Sequence, residues 1–167
     1  MLKWTLIVVA GVVVLVGLAA VIGSMLPQGH RATKTVTMRA APATVFSVIT
    51  DFARAAEWRS GLERVEMLPN EGGAMMFREV GGQGPMTFRV EALEPPTRLV
   101  TRITDKSLPF GGTWTYELKP QGSGTLLTIT EDGEVYNPLF RFMSTFIFSQ
   151  SATIGAYLTS LKRKLGE

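Results

Sequence analysis

The chain of 167 residues contains no cysteine, and its single histidine is His30. The absence of cysteine excludes disulfides, thiolate nucleophiles and cysteine-based metal sites, although it does not indicate a cellular compartment. The net charge of +3 is spread along the chain without an extended basic cluster. Nucleic-acid-binding proteins usually concentrate their positive charge on one patch, so we do not expect this protein to bind nucleic acid.

Several catalytic motifs are also missing. The chain has no HExxH or GxSxG motif and no phosphate-binding glycine loop. The glycines of GGQG and FGG have the pattern of hairpin turns instead. We therefore predict neither a bound metal ion nor a cofactor.

The first segment lacks charge altogether. No charged residue occurs between Trp4 and Leu26, and nearly all residues of this stretch are apolar. About 20 apolar residues span a bilayer core. A cleaved signal peptide is the alternative, but its apolar region normally runs about 7–15 residues and ends at a small-residue cleavage site. We predict an uncleaved transmembrane anchor over residues 1–26, and therefore a single-pass membrane protein.

The orientation of this anchor is not decided by the positive-inside rule, because basic residues flank it on both sides. Lys3 and the terminal amine lie before it, and Arg31, Lys34 and Arg39 lie after it. We expect a signal-anchor arrangement, with the short N-terminal tail in the cytoplasm and the domain exported.

The remainder of the chain divides into a tether and one globular domain. Residues 27–34 are polar and include Pro and Gly, which predicts an exposed tether that contains His30. The domain, residues 35–167, begins with a strand and two short helices, the first opened by Pro42. Six segments of alternating polarity follow, separated by Gly- and Pro-containing turns, and they predict an antiparallel meander.

The chain ends in a helical pattern. Asn137 and Pro138 have the residue types of a helix N-cap and first position, and Lys162 to Lys164 suit the negative end of a helix dipole. Apolar residues at helical spacing predict one long amphipathic helix. They are Leu139, Phe140, Met143, Ile147, Ile154, Leu158, Leu161 and Leu165.

These patterns resemble a known superfamily. The stretch APATVFSVITDFARAAEWRSGLERVE, which follows the first strand, is similar to the opening of START-like, or SRPBCC, proteins. EPPTRLVTRI, GGTWTYEL and GTLLTITEDGEV resemble their later strands. The resemblance extends from about Thr35 to Gly166 and is greatest to the membrane-anchored bacterial branch described as polyketide cyclase/dehydrase-like.

The resemblance implies an α+β helix-grip fold, in which a curved antiparallel sheet wraps around the long C-terminal helix. It also implies an apolar cavity between sheet and helix that takes a hydrophobic small molecule or lipid. With strand parity, it predicts the residues that line this pocket: Trp58, Phe77, Phe88, Trp114, Tyr116, Phe140, Met143 and Ile147, with Gln150 and Tyr157 as hydrogen-bonding groups.

Two alternatives to a binding domain stay open. The first is a cyclase/dehydrase-type enzyme, for which the inward-facing candidates are Glu79, Tyr116, Tyr157, Gln150 and, best placed, Glu131 as a base. Against it, the acidic stretch Glu131–Glu134 has the pattern of a strand end in solvent, or of an ion pair with Arg141 or Arg102. The second is a structural or partner-binding module with a solid interior.

Some apolar residues do not fit the inward face. Phe142 and Phe148 fall off the helical stripe, and the LPFGG loop is apolar although it connects two strands. Exposed apolar groups indicate contact with another surface. Because the predicted tether is short, we expect these residues to face the bilayer. LPFGG could also fold over the cavity mouth as a gate, and the alternative for this loop is packing on the start of the last helix.

Overall fold

The computed structural model describes residues 1–82, 84–146 and 152–167. One curved antiparallel sheet of seven strands combines with helices in an α+β fold. The helices are α1 (Leu2–Met25), α2 (Pro42–Thr50), a 3₁₀ helix (Phe52–Glu57), α3 (Pro138–Phe146) and α4 (Ala152–Lys164). The strands are β1 (Gly29–Met38), β2 (Leu62–Glu71), β3 (Ala74–Gly81), β4 (Gly84–Glu94), β5 (Arg98–Ile103), β6 (Phe110–Gln121) and β7 (Gly124–Val135).

The strand order is β1-β7-β6-β5-β4-β3-β2. The meander from β2 to β7 is confirmed, and β1 returns to pair with β7 rather than with its sequence neighbour β2. This places the chain that leaves α1 beside the strand that leads into α3.

The core lies between the sheet and the helices α2 and α4. In β7, Leu127 and Ile129 alternate with outward-facing threonines, and both are fully buried. From α4, Ile154 and Leu161 are buried against the same core cluster. Each such side chain contributes roughly 1.5–3 kcal/mol when it leaves water, so α4 is held to the sheet by apolar burial.

The predicted tether is wrong for most of its length. Residues 29–34 belong to β1, and Gly29 pairs with Glu134 of β7. The backbone N–H of Val135 also donates to the carbonyl of Gln28 at 2.9 Å. The physical reason is the edge of β7, whose backbone N–H and C=O groups are paired by the backbone of this segment.

The described residues of the predicted C-terminal helix form α3 and α4, which have different neighbours. α4 packs on the sheet, whereas α3 packs on α1. Phe142 is half-buried beside α1 and is therefore less exposed than the helical stripe predicts, whereas its contact with the bilayer stays a prediction. Ile147, Phe148 and Gln150 lie outside the described residues.

α1 is long and apolar enough to span a membrane. Within the stretch Lys3–Met25, the most apolar window of 18 residues has a mean hydropathy of 3.0, and only 6% of that window is buried. The core helix of a soluble domain would be mostly buried, which separates α1 from that class.

Candidate functional site

A cavity of about 420 Å³ lies between the sheet and the helices. Its volume falls within the roughly 300–1,000 Å³ that small-molecule sites occupy. The alternative of a solid interior is therefore excluded. Among the predicted pocket residues, those that line this cavity are Trp58, Phe77, Phe88, Trp114, Tyr116, Phe140 and Tyr157.

Of the three remaining predicted pocket residues, Met143 alone lies in the described part of the chain. Met143 of α3 is half-buried but does not line the cavity. Phe140 and Ser144, one helical turn apart on α3, line the cavity instead, and Met143 lies beside that face of the helix. Ile147 and Gln150 lie outside the described residues, so their predicted roles are unchanged predictions.

Tyr157 of α4 stands at the centre of an aromatic group. Its ring lies 5.4 Å from that of Trp58, 5.8 Å from that of Trp114 and 5.6 Å from that of Tyr116. Trp114 and Tyr116 share one face of β6 because they are two residues apart. Burial raises the pKa of both tyrosines far above the usual range, so both phenols stay neutral and act as hydrogen-bond groups.

An ion pair between Arg59 and Glu79 forms the polar part of the same wall. The guanidinium donates to both carboxylate oxygens, with Nη2 at 3.0 Å from Oε2, and its carbon lies 5.2 Å from the ring centre of Tyr157. Burial alone would lower the pKa of Arg59, but the carboxylate of Glu79 and the phenols of Tyr157 and Tyr116 together outweigh it and raise that pKa. The arginine is therefore a permanent cation facing an apolar cavity.

Sequence reasoning missed Arg59, which follows the 3₁₀ helix in a segment without strand or helix periodicity. Glu79 was among the inward-facing candidates because it lies two residues after Phe77 on β3. No local pattern joins the two residues, since the pair forms only when β3 reaches the loop after Trp58.

A second polar group lies where β1, β6 and β7 meet. Glu131 pairs across the strands with Ala32 on β1 and Trp114 on β6, and its Oε1 lies 3.7 Å from Nε2 of His30. His30 and Glu131 both line the cavity. The imidazole fits there because position 133 is glycine, where a Cβ would overlap the ring.

The position of Glu131 corrects two expectations. Its carboxyl is largely buried instead of ending a strand in solvent, and His30 is part of the cavity wall instead of an exposed linker. The arginines proposed as its partners bind elsewhere: Arg102 donates to Glu91, and Arg141 donates to backbone carbonyls.

Burial raises the pKa of the Glu131 carboxyl, and the neighbouring side chains of His30 and Trp114 oppose this rise only in part. Its Oε2 is buried and accepts no hydrogen bond from any residue that the structure describes. A buried acceptor of this kind is costly unless a donor satisfies it, so a hydroxyl or amine of a ligand suits this position.

The LPFGG loop packs on the start of α3, as one of the two alternatives predicted, and it also contributes to the cavity wall. Phe110 and Gly111 line the cavity, and the carbonyl of Pro109 accepts hydrogen bonds from the backbone of Tyr136 and Asn137 at the start of α3. The loop therefore joins the cavity wall to the helix start.

Among the residues that the structure describes, no group of three or more histidine and acidic side chains is placed to hold a metal ion. The site is an apolar chamber with two polar groups in its wall. The fold and this chamber define a START-like domain.

Comparison with known proteins agrees with this class. The chain belongs to the family described as "Polyketide cyclase / dehydrase and lipid transport", whose profile matches residues 29–166. No curated protein is similar to the chain at a significant level.

Solved structures share the fold at low sequence identity. A START superfamily protein from Mycobacterium smegmatis superposes with a TM-score of 0.66 at 18% identity, covering 82% of this chain and 97% of the other. The Zhui aromatase/cyclase from Streptomyces sp. R1128 superposes with a TM-score of 0.66 at 17% identity, covering 81% and 93%. Similarity at this level establishes the fold and carries no substrate with it.

Proposed function

We propose that this protein is a membrane-anchored binding domain for a hydrophobic small molecule or lipid. The observation that carries the proposal is the cavity between sheet and helices, whose wall is mostly aromatic and apolar but includes two polar groups. Family membership supports it, because the family description includes lipid transport.

The two polar groups support an amphipathic ligand rather than a plain hydrocarbon. Arg59 has five N–H donors, and its contacts with Glu79 leave donors for an oxygen of the ligand. Tyr157 lies against the same guanidinium and supplies a neutral phenol. A carboxylate, carbonyl or hydroxyl oxygen of the ligand would lie here, and its apolar part would lie among the aromatic rings.

The membrane part of the proposal rests on α1. Its length and hydropathy suit a single span, and β1 starts four residues after α1 ends at Met25. We place the domain on the exported side, with Lys3 in the cytoplasm, as in a signal-anchor protein. A maleimide reagent that cannot cross membranes tests this with Lys119→Cys in intact cells, since the natural chain has no cysteine. Labelling supports export, and labelling only after lysis contradicts it.

Native mass spectrometry of the full chain released from detergent micelles tests ligand binding. We expect an additional mass of one lipid or hydrophobic metabolite per chain, which is lost on unfolding. The matched variant is Phe77→Trp, since Phe77 stacks between Phe52 and Phe88 and a larger ring there fills the cavity. A folded wild-type chain that carries no such mass and binds no Nile red contradicts the proposal.

A second candidate function, a cyclase/dehydrase-type enzyme, is favoured by one observation. The Glu131 carboxyl has a raised pKa and lies in the cavity wall, as a general base requires. The test is turnover of a hydrophobic β-keto acyl thioester by wild type and Glu131→Gln. Loss of turnover with retained binding supports the enzyme, and equal rates in both proteins remove Glu131 from any reaction.

A further inference from the structure

Arg141 of α3 is buried and binds the end of α1. Its Nη1 donates to the carbonyls of Gly23 at 3.2 Å and Leu26 at 3.1 Å. Its Nε and Nη2 donate to the carbonyls of Val135 at 3.0 Å and Tyr136 at 3.1 Å. The last carbonyls of a helix lack intrahelical partners and form the negative end of its dipole. Arg141 therefore caps the helix that has the length of a membrane span.

Glycine permits the two helices to approach closely at this point. A Cβ at Gly23 would overlap the carbonyl oxygen of Pro138 and would lie 3.4 Å from the Cβ of Phe142. A Cβ at Gly17, two turns earlier on α1, would meet nothing within 4 Å. The contact between α1 and α3 therefore depends on the small size of Gly23, and the hydrogen bonds of Arg141 to the end of α1 stabilise it.

The length of α1 places this contact at the membrane surface. Its 24 residues extend about 36 Å at about 1.5 Å per residue. A bilayer core is about 30 Å thick, so the last turn of α1 lies at the level of the headgroups. Because Gly23 belongs to that turn, α3 packs at the same level.

The exposed apolar residues of α3 continue the surface of α1. Phe146 is 60% exposed, and its ring lies 5.0 Å from that of Phe142, which packs beside Gly23. Phe140 is 47% exposed and also lines the cavity. A residue with both properties marks the point where the cavity reaches the surface, and this point lies on α3.

We propose that α3 is an interfacial helix whose docking partner is the lipid bilayer, and that the cavity opens towards that bilayer beside α1. A hydrophobic ligand then passes between membrane and cavity along Phe140 without crossing water. Amphipathic helices lie in the headgroup region with their apolar side buried by several ångströms. The ligand-entry part rests on the proposed binding function, whereas the position of α3 rests only on the proposed membrane span of α1.

The position of α3 is tested with a spin label on the full chain in phosphatidylcholine vesicles. Because the chain has no cysteine, Phe146→Cys gives one labelling site, and Lys119→Cys at the far end of β6 gives the control. We expect the label at 146 to be reached by oxygen and protected from a water-soluble nickel chelate, and the label at 119 to show the reverse. Equal chelate access at both positions overturns the proposal.

A matched pair of glycine substitutions tests the coupling. In the Phe146→Cys background, Gly23→Leu forces α3 away from α1 and should move the label towards water, whereas Gly17→Leu should change nothing. If the label position is unchanged in Gly23→Leu, the contact between α1 and α3 does not hold α3 at the bilayer.

Transfer of a pyrene-labelled fatty acid from the vesicle to the cavity, followed by energy transfer from tryptophan, tests ligand entry. We expect Gly23→Leu to slow transfer several-fold without changing final occupancy, and equal rates overturn direct entry. Absence of transfer in wild type, with the label at 146 in the bilayer, contradicts the binding function and leaves the membrane position of α3 established.

Discussion

Arg59 and Glu79 form a two-pronged ion pair across the wall of the cavity, although they are 20 positions apart. The Glu79 side chain is 7% exposed and the Arg59 side chain 26%, so the carboxylate depends on the arginine for its solvation. This buried pair places one oriented polar group in a cavity of apolar rings. Removal of either partner should lower the free energy of unfolding strongly, because the other charge is left unpaired.

Removal of Arg59 should destabilise the protein strongly. Arg59→Met leaves the Glu79 carboxylate unpaired among apolar groups, for which we expect a loss of about 3 kcal/mol. The double variant Arg59→Met with Glu79→Leu should recover most of it. Denaturant unfolding of the full chain in micelles measures the difference.

The control for that measurement is Arg64→Met, because Arg64 pairs with Glu66 on the exposed surface. Surface pairs contribute about 0–1 kcal/mol. If Arg59→Met costs no more than Arg64→Met, the Arg59–Glu79 pair does not behave as a buried pair.

Trp114→Ala should weaken binding of Nile red while the domain stays folded. Trp114 lines the cavity and contacts the rings of Tyr116 and Tyr157, so its removal takes away a large part of the apolar wall. We expect the Kd to rise about tenfold, which corresponds to about 1.4 kcal/mol. Trp4→Ala in α1 is the control and should leave the titration unchanged. Unchanged affinity in Trp114→Ala would place the probe elsewhere.

Glu131→Gln should stabilise the protein at neutral pH and not at acidic pH. Burial raises the pKa of Glu131 in the folded state, so the folded protein binds a proton more tightly there than the unfolded chain does. The protonated carboxyl is compatible with burial, so its full contribution to folded-state stability is present below the unfolded pKa of about 4.3. This contribution is lost as the pH rises through the folded pKa, because the carboxyl ionises.

Thermal unfolding at a series of pH values measures this effect. The glutamine variant should melt above wild type at pH 7, and the two curves should converge towards about pH 4. The same comparison in a His30→Gln background separates the contribution of the imidazole. A variant that is less stable than wild type at pH 7 would show that the ionised carboxylate is stabilised by its neighbours.

Removal of residues 1–26 should give a folded protein that stays in the supernatant after ultracentrifugation, whereas the full chain should sediment with membranes. The cut leaves Gln28, whose carbonyl binds Val135, and the whole of β1. The apolar core between sheet and α4 is also untouched. Recovery of the shortened chain only as unfolded aggregate would contradict the division into anchor and domain.

Arg141→Gln should cost more in the full chain than in the shortened one. Two of the four carbonyls that accept from Arg141, those of Gly23 and Leu26, are removed with α1. Hydrogen bonds from charged groups contribute about 1.5–3 kcal/mol each, so we expect the two costs to differ by at least about 1.5 kcal/mol. Unfolding of both proteins, with and without the substitution, gives this difference. Equal costs would show that the contact with α1 contributes no stability.

Much of the fold follows from patterns within single segments. The uncharged run from Trp4 to Leu26 defines α1, and the alternation along β6 places Trp114 and Tyr116 on one inward face. These predictions succeed because hydrophobic periodicity reports which side of one element meets the core. The cavity was predicted from the family resemblance, because no pattern within a single segment indicates it.

The contacts that complete the site were decided by tertiary structure. His30 became part of the cavity wall because β7 needed a partner strand for its edge, and this paired Glu131 with β1. Arg59 meets Glu79, and Arg141 meets the end of α1, through pairings between segments that are distant in the chain. Composition and periodicity describe one element at a time, whereas the partner of a buried charge depends on which elements the folded backbone brings together.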